Sequence, residues 1–171
     1  MLTKAEILDL LRALNDELGR QAAIGEIYLV GGAVMTLVLE ARPSTRDVDA
    51  LFKPAAMVRV AAARVAAARG YDADWLNDAV KGFMSGRGSF SDYLDLPNLR
   101  VMTAQPEYLL AMKCLSMRLG PEFHDEADVR YLLRHLDVRT YERAVELIER
   151  YYPRERFPPK SLYALEEILA G

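Results

Sequence analysis

Residues 28–52 read YLVGGAVMTLVLEARPSTRDVDALF, and the fold and the function both turn on them. An apolar run, Ile27 to Val30, stops at Gly31 and Gly32, and a second run, Asp47 to Phe52, opens on Asp-x-Asp. Side chains alternate along a strand, so Asp47 and Asp49 share one face while Val48, Ala50 and Phe52 share the other. The second set is apolar and belongs to a core. Two carboxylates on one face repel each other, and water near a sheet relieves this poorly. A divalent cation resolves the conflict, because Mg²⁺ takes one or two carboxylates together with substrate phosphates. Between the runs, Gly31 and Gly32 leave backbone N–H groups open to a phosphate, and the helix expected next adds partial positive charge. Ser44, Thr45 and Arg46 stand just before Asp47 and are placed to hold a phosphate tail. Alone, Gly-Gly reads as a turn and Asp-x-Asp as a solvated strand end. In this order on a strand–helix–strand frame, they are what phosphoryl or nucleotidyl transfer requires.

The composition narrows the alternatives. A chain of 171 residues, half of them hydrophobic, suits one compact unit with a core of its own. One cysteine, Cys114, forbids an internal disulfide and points to a reducing compartment. Two histidines and one cysteine make a zinc site a poor fit. A net charge of -3 provides no basic field for non-specific nucleic-acid binding, and no DNA partner is expected. The N-terminus is too charged for a secretory signal, and no apolar stretch reaches the roughly 18 residues of a membrane span. A cytoplasmic protein without a membrane partner is the expectation.

Along the chain, Thr3 and Glu6 form a capping-box pair ahead of Ile7, Leu11, Leu14 and Leu18 at helical spacing, with Gly19 as a stop. The apolar Ala33–Glu40 stretch reads as a buried helix, and Pro54 opens an alanine-rich helix that Gly70 closes. Its arginines Arg59, Arg64 and Arg69 are five apart, so they spiral around the helix and form no basic stripe. Trp75–Val80 reads as a short strand or turn with Trp75 in the core. The glycines and serines of residues 81–92 read as a mobile loop, and Leu99–Thr103 as a strand. Helical patterns then cover residues 106–119, 125–136, 140–151 and 161–170, with the proline-stiffened YYPRERFPP between the last two. The expected fold class is α+β, with a mixed sheet flanked by helices over residues 1–105 and a helical segment over 106–171, packed as one unit.

At this point the residues resemble the nucleotidyltransferase superfamily, whose signature is a strand, Gly-Gly or Gly-Ser, a helix, and Asp-x-Asp or Asp-x-Glu on the next strand. The stretch GGAVMTLVLEARPSTRDVD has that form, with a spacer at the long end of the pattern. More narrowly, TRDVDALF, DWLNDAVKGF, LPNLRV, PEYLLAMK, DEADVRYLL and ERYYP resemble the small bacterial and archaeal DUF6036 nucleotidyltransferases, relatives of the AbiEii-type toxins. The resemblance implies a minimal nucleotidyltransferase core whose helical segment closes one side of the site. Asp47 and Asp49 would hold Mg²⁺ (or Mn²⁺) and the triphosphate, and Gly31 and Gly32 would contact phosphate. It also carries over a lysine and a later Asp-x-x-Asp pair, which fall on Lys113, Asp125 and Asp128. Asp125 and Asp128 are three apart on a helix and share a face. Lys113 lies among Leu109, Leu110, Met112 and Leu115, where an ammonium needs an anion. An ion pair stitching two helices is the competing role for these three.

The superfamily's third carboxylate has no obvious counterpart on the Leu99–Thr103 strand. Asp78 is the first candidate, followed by Asp74, Asp92 and Asp95. The leading expectation is therefore a Mg²⁺-dependent nucleotidyltransferase moving a nucleoside monophosphate from an NTP to an acceptor hydroxyl. By analogy with the AbiEii-like relatives it would be a toxin acting on tRNA or on a protein, with an antitoxin partner. The alternative is a nucleotide-binding module of the same fold without turnover. A DNA- or RNA-binding regulator is weaker, given the acidic balance and the scattered arginines.

Overall fold

The computed structural model describes residues 1–171. The fold is α+β, with seven helices, a mixed five-stranded sheet and a two-stranded sheet. The chain divides into two compact units. The first comprises Met1–Gly82 with Phe90–Ala104, and the second Phe83–Ser89 with Gln105–Gly171. The last strand stretch of the first unit ends at Ala104, and a short segment from the middle of the chain, Phe83–Ser89, goes with the helices of the second.

In the first unit, β1 (Leu2–Thr3) leads into α1 (Lys4–Arg20), and the Thr3–Glu6 capping box forms as read. The helix runs past Gly19 to a cap at Gln21. Next come β2 (Gly25–Leu29), α2 (Gly31–Leu37), β3 (Ser44–Thr45), β4 (Val48–Lys53), α3 (Ala55–Arg69), β5 (Leu76–Asn77), β6 (Phe90–Leu96) and β7 (Leu99–Ala104). The large sheet has the order β5-β4-β2-β7-β6, in which β2 runs antiparallel to β4 and parallel to β7. The small sheet pairs β1 with β3 through Leu2↔Thr45 and Thr3↔Ser44.

Alternation decides which sheet face is core. Ile27, Leu29, Val48, Ala50, Phe52 and Val101 are all buried. A Cβ added at Gly25, on the same face, would stand 2.9 Å from Leu18 and 3.2 Å from Val58, so α1 and α3 lie directly on this side of β2. These helices contribute Ile7, Leu10, Leu11, Leu14 and Leu18, and Val58, Ala61, Ala62, Val65 and Ala66. Gly70 closes α3 in the left-handed conformation expected of a C-terminal glycine (φ 74°). Trp75 is buried and donates its indole N–H to the Ala62 carbonyl at 3.0 Å, the core role read for it.

In the second unit, α4 (Pro106–Leu115) packs against α5 (Asp125–His135), α6 (Tyr141–Ile148) and α7 (Pro159–Ala170). Pro106 starts α4, where its missing N–H costs nothing. The helix ends at Leu115, four residues before the expected end, and the Ser116 hydroxyl and N–H both donate to the Met112 carbonyl, at 3.0 and 3.1 Å.

The glycine- and serine-rich stretch read as a mobile loop is structured. Residues 79–83 form a 3₁₀ turn, and Phe90 already opens β6. Between them, Phe83–Ser89 is held by three tyrosines of its own unit. The Ser85 N–H donates to Tyr108 Oη at 2.8 Å, Ser89 Oγ lies 3.1 Å from Tyr151 Oη, and the Tyr152 hydroxyl donates to the Phe83 carbonyl. Tyr108 and Tyr151 stack with ring centroids 5.1 Å apart. No helix is long and apolar enough to cross a membrane.

Candidate functional site

Antiparallel pairing of β2 with β4 brings the two halves of the opening motif together. Leu29 is the register partner of Ala50, and the Val30 N–H donates to the Asp49 carbonyl at 3.0 Å. The chain turns at that point. Gly31 takes the left-handed conformation (φ 62°), which a residue with a side chain adopts only at a cost. A Cβ on Gly31 would stand 3.3 Å from Asp49 Oδ2, so the glycine lies flush against this carboxylate. Asp47 immediately precedes β4, where the expected strand had it as the first residue. The alternation still holds: Asp47 and Asp49 are half-buried on one side, while Val48, Ala50 and Phe52 are buried on the other.

Gly32 answers a second steric demand. A Cβ there would run into the Arg42 guanidinium and the Thr45 hydroxyl. Thr45 is buried in β3 and donates its hydroxyl to the Asp47 carbonyl at 3.3 Å, so it ties the turn before Asp47 to the start of α2. The helix itself spans only Gly31–Leu37, starting earlier and ending sooner than the expected Ala33–Glu40. With two turns, its dipole offers less to an anion than the sequence suggests. The cation against Gly32 is Arg42, which the sequence reading missed. No local signal in the sequence shows that the chain folds Arg42 back onto Gly32.

The remaining candidates of this unit are spread out. Ser44 is half-buried in β3 beside Thr45. Arg46 is exposed and lines a cavity of about 140 Å³ with Asp47, Tyr71, Asp72, Asp74 and Trp75, among others. Asp78 is engaged by Arg59 at 2.8 Å and Lys81 at 3.8 Å. The register partner of Asp49 on β5 is its neighbour Asn77, which presents an amide at that level. Asp92 and Asp95 lie on β6, paired with Met102 and Arg100. Of the four acids weighed as a third carboxylate, Asp74 is the one that shares a cavity with Asp47. No group of three or more His, Cys, Asp and Glu side chains is gathered for a metal. Asp47 and Asp49 would offer two carboxylates, the oxygen donors that a hard cation takes together with water and substrate phosphates.

Lys113, Asp125 and Asp128 come together in the second unit. The Lys113 ammonium lies 3.2 Å from Asp125 Oδ1 and 2.8 Å from Asp128 Oδ2, with all three side chains at most 12% exposed. Asp125 also accepts from the Arg118 backbone N–H and Nε, each at 2.9 Å. Burial pushes the Asp125 carboxyl upward, but the Arg118 hydrogen bonds and the Lys113 charge outweigh it and hold it below the usual carboxylate range. The ammonium read as needing an anion has two within its own unit. Cys114 beside it is fully buried, and burial pushes its thiol up to about 12.

The chain matches none of the family models, curated proteins or solved structures with which it was compared.

Proposed function

We propose that the chain is a Mg²⁺-dependent nucleotidyltransferase that moves a nucleoside monophosphate from an NTP to an acceptor hydroxyl. The carrying observation is the left-handed Gly31 laid against Asp49, with Asp47 on the same side of β4 and the apolar set behind it. Asp47 and Asp49 would hold the cation, which when bound supplies Lewis-acid stabilisation of the charge developing on phosphate. Gly31 and Gly32 let the triphosphate approach the backbone. In the reaction the acceptor oxygen attacks the α-phosphorus, the bond to the β-phosphate oxygen breaks, and pyrophosphate leaves. The acceptor proton would pass to solvent or to an acid near Asp47, and Asp74 lines the same cavity. The acceptor would be a tRNA, a protein or a small molecule, and an antitoxin would be the partner of a toxin of this kind.

A second reading is a nucleotide-binding module without turnover. It is favoured by Asn77, an amide where a carboxylate beside Asp49 would serve the transfer. One assay separates the two. Each α-labelled NTP is incubated with the protein, Mg²⁺ or Mn²⁺, and total cell RNA and protein, alongside an Asp47→Ala/Asp49→Ala variant. Label transfer that disappears in the variant supports the enzyme. Calorimetric NTP binding with no transfer to any acceptor would sink it and leave the module.

A further inference from the structure

Arg42 is the charged side chain in the first unit whose placement the transfer reading leaves unexplained. Its guanidinium occupies the space that a side chain at residue 32 would need, over the first turn of α2 and next to the glycine that touches Asp49. The arm carrying it is anchored at both ends. Before it, the Ala41 N–H donates to the Met35 carbonyl at 2.9 Å. After it, Ser44 and Thr45 pair with β1, and the Thr45 hydroxyl is bound to the Asp47 carbonyl. A long cationic side chain is thus placed with little freedom where a phosphate would approach the glycines. The other cation once expected there, Arg46, is exposed and lines the cavity of Asp72 and Asp74 instead.

We propose that Arg42 is the triphosphate clamp of this site. Its planar fork would take oxygens of the β- and γ-phosphates, leaving the α-phosphate to the side of Asp47 and Asp49. A guanidinium matches two phosphate oxygens at once and is never deprotonated, so it selects for a polyphosphate where a lysine would supply only a point charge. The glycine at position 32 then has a functional reason as well as a steric one, since any side chain would displace the clamp. This inference rests on the nucleotidyltransferase reading of Asp47 and Asp49.

The test is calorimetry on the full chain with Mg²⁺ and three probes: α,β-methylene nucleoside triphosphates, the matching monophosphates, and inorganic pyrophosphate. Arg42→Gln and Arg42→Lys are compared with the unaltered chain, and thermal melts confirm that each is folded. Arg42→Gln should weaken triphosphate and pyrophosphate binding by roughly tenfold or more, while monophosphate affinity stays within about twofold. Arg42→Lys, which keeps charge and stem, should recover part of the loss. Equal weakening of tri- and monophosphate, or a lowered melting temperature with unchanged nucleotide affinities, overturns the clamp and leaves Arg42 as a packing residue. If the unaltered chain binds nucleotides and loses them in Asp47→Ala/Asp49→Ala, failure of the Arg42 variants counts against the clamp alone. If the unaltered chain binds none of the probes, the transfer reading falls and the clamp with it.

Discussion

Single atoms decide most of what happens around Gly31 and Gly32. Gly31→Ala forces a Cβ into a left-handed residue 3.3 Å from Asp49 Oδ2, and should cost about 1–2 kcal/mol while displacing the carboxylate. Gly32→Ala should cost a similar ~1–3 kcal/mol for overpacking, because Arg42 and Thr45 must both move. Urea titration gives the two costs, and NTP calorimetry shows whether the site goes with them. Lys113→Met is a different kind of change. It removes the ammonium shared by two buried carboxylates, Asp125 and Asp128, while Asp125 keeps Arg118, and a loss of ~3 kcal/mol is expected from the same titration. The acid response follows from the depressed Asp125 carboxyl. Its contribution is complete above the ordinary value of 3.8 and is lost as the pH falls below that through the folded-state value. Asp125→Asn should therefore flatten the decline in stability below about pH 4, seen as urea midpoints that change less with acid. A variant as acid-sensitive as the parent would show that Asp125 is not the titrating group.

Elements differ in how far they can be read from the chain. Helix α1, strands β2 and β4, and helix α3 carry their periods, caps and breakers within their own residues, so the sequence marks them to within a few positions. Strands β1, β3 and β5 have two residues each, too few for a period, and exist because a partner strand supplies hydrogen bonds. The alternation of β6 is broken between Asp92 and Leu94 by a register shift, which hid it in what reads as a loop. The tyrosine-held segment was illegible for another reason: its glycines signal freedom, while its restraint comes from Tyr108, Tyr151 and Tyr152, far along the chain. Tyr152→Phe removes the donor to the Phe83 carbonyl, and Tyr108→Phe leaves the Ser85 N–H without that acceptor. Each should cost about 1 kcal/mol and speed amide hydrogen exchange at Ser85 and Gly88. Unchanged exchange there would mean that ring packing alone holds the segment. The same reasoning applies to the candidate site. Gly31, Gly32, Asp47 and Asp49 were legible because the motif is local, and Arg42 was not because its neighbour lies ten residues back across a fold.

At the scale of the molecule, each unit carries its own reporter. The single tryptophan, Trp75, is buried in the first unit, and the single cysteine, Cys114, is buried in the second. The raised thiol should make the folded protein inert to a disulfide reagent at pH 8, with reaction only on opening. The chain crosses between the units at 82/83, 89/90 and 104/105, so melting the first unit frees both ends of Phe83–Ser89. Tryptophan fluorescence and thiol labelling should accordingly share one urea midpoint, and two separated midpoints would show that the units unfold on their own. The held segment also sets a timetable during synthesis. Ser89 leaves the ribosome 62 residues before Tyr151, which at ~5–20 residues per second is a wait on the order of 3–12 s. Through that interval β6 and β7 can already pair while the glycine-rich stretch has Tyr108 but neither Tyr151 nor Tyr152. The newborn chain therefore passes through a stage in which this stretch is open to proteases and chaperones, a vulnerability that the finished protein no longer has.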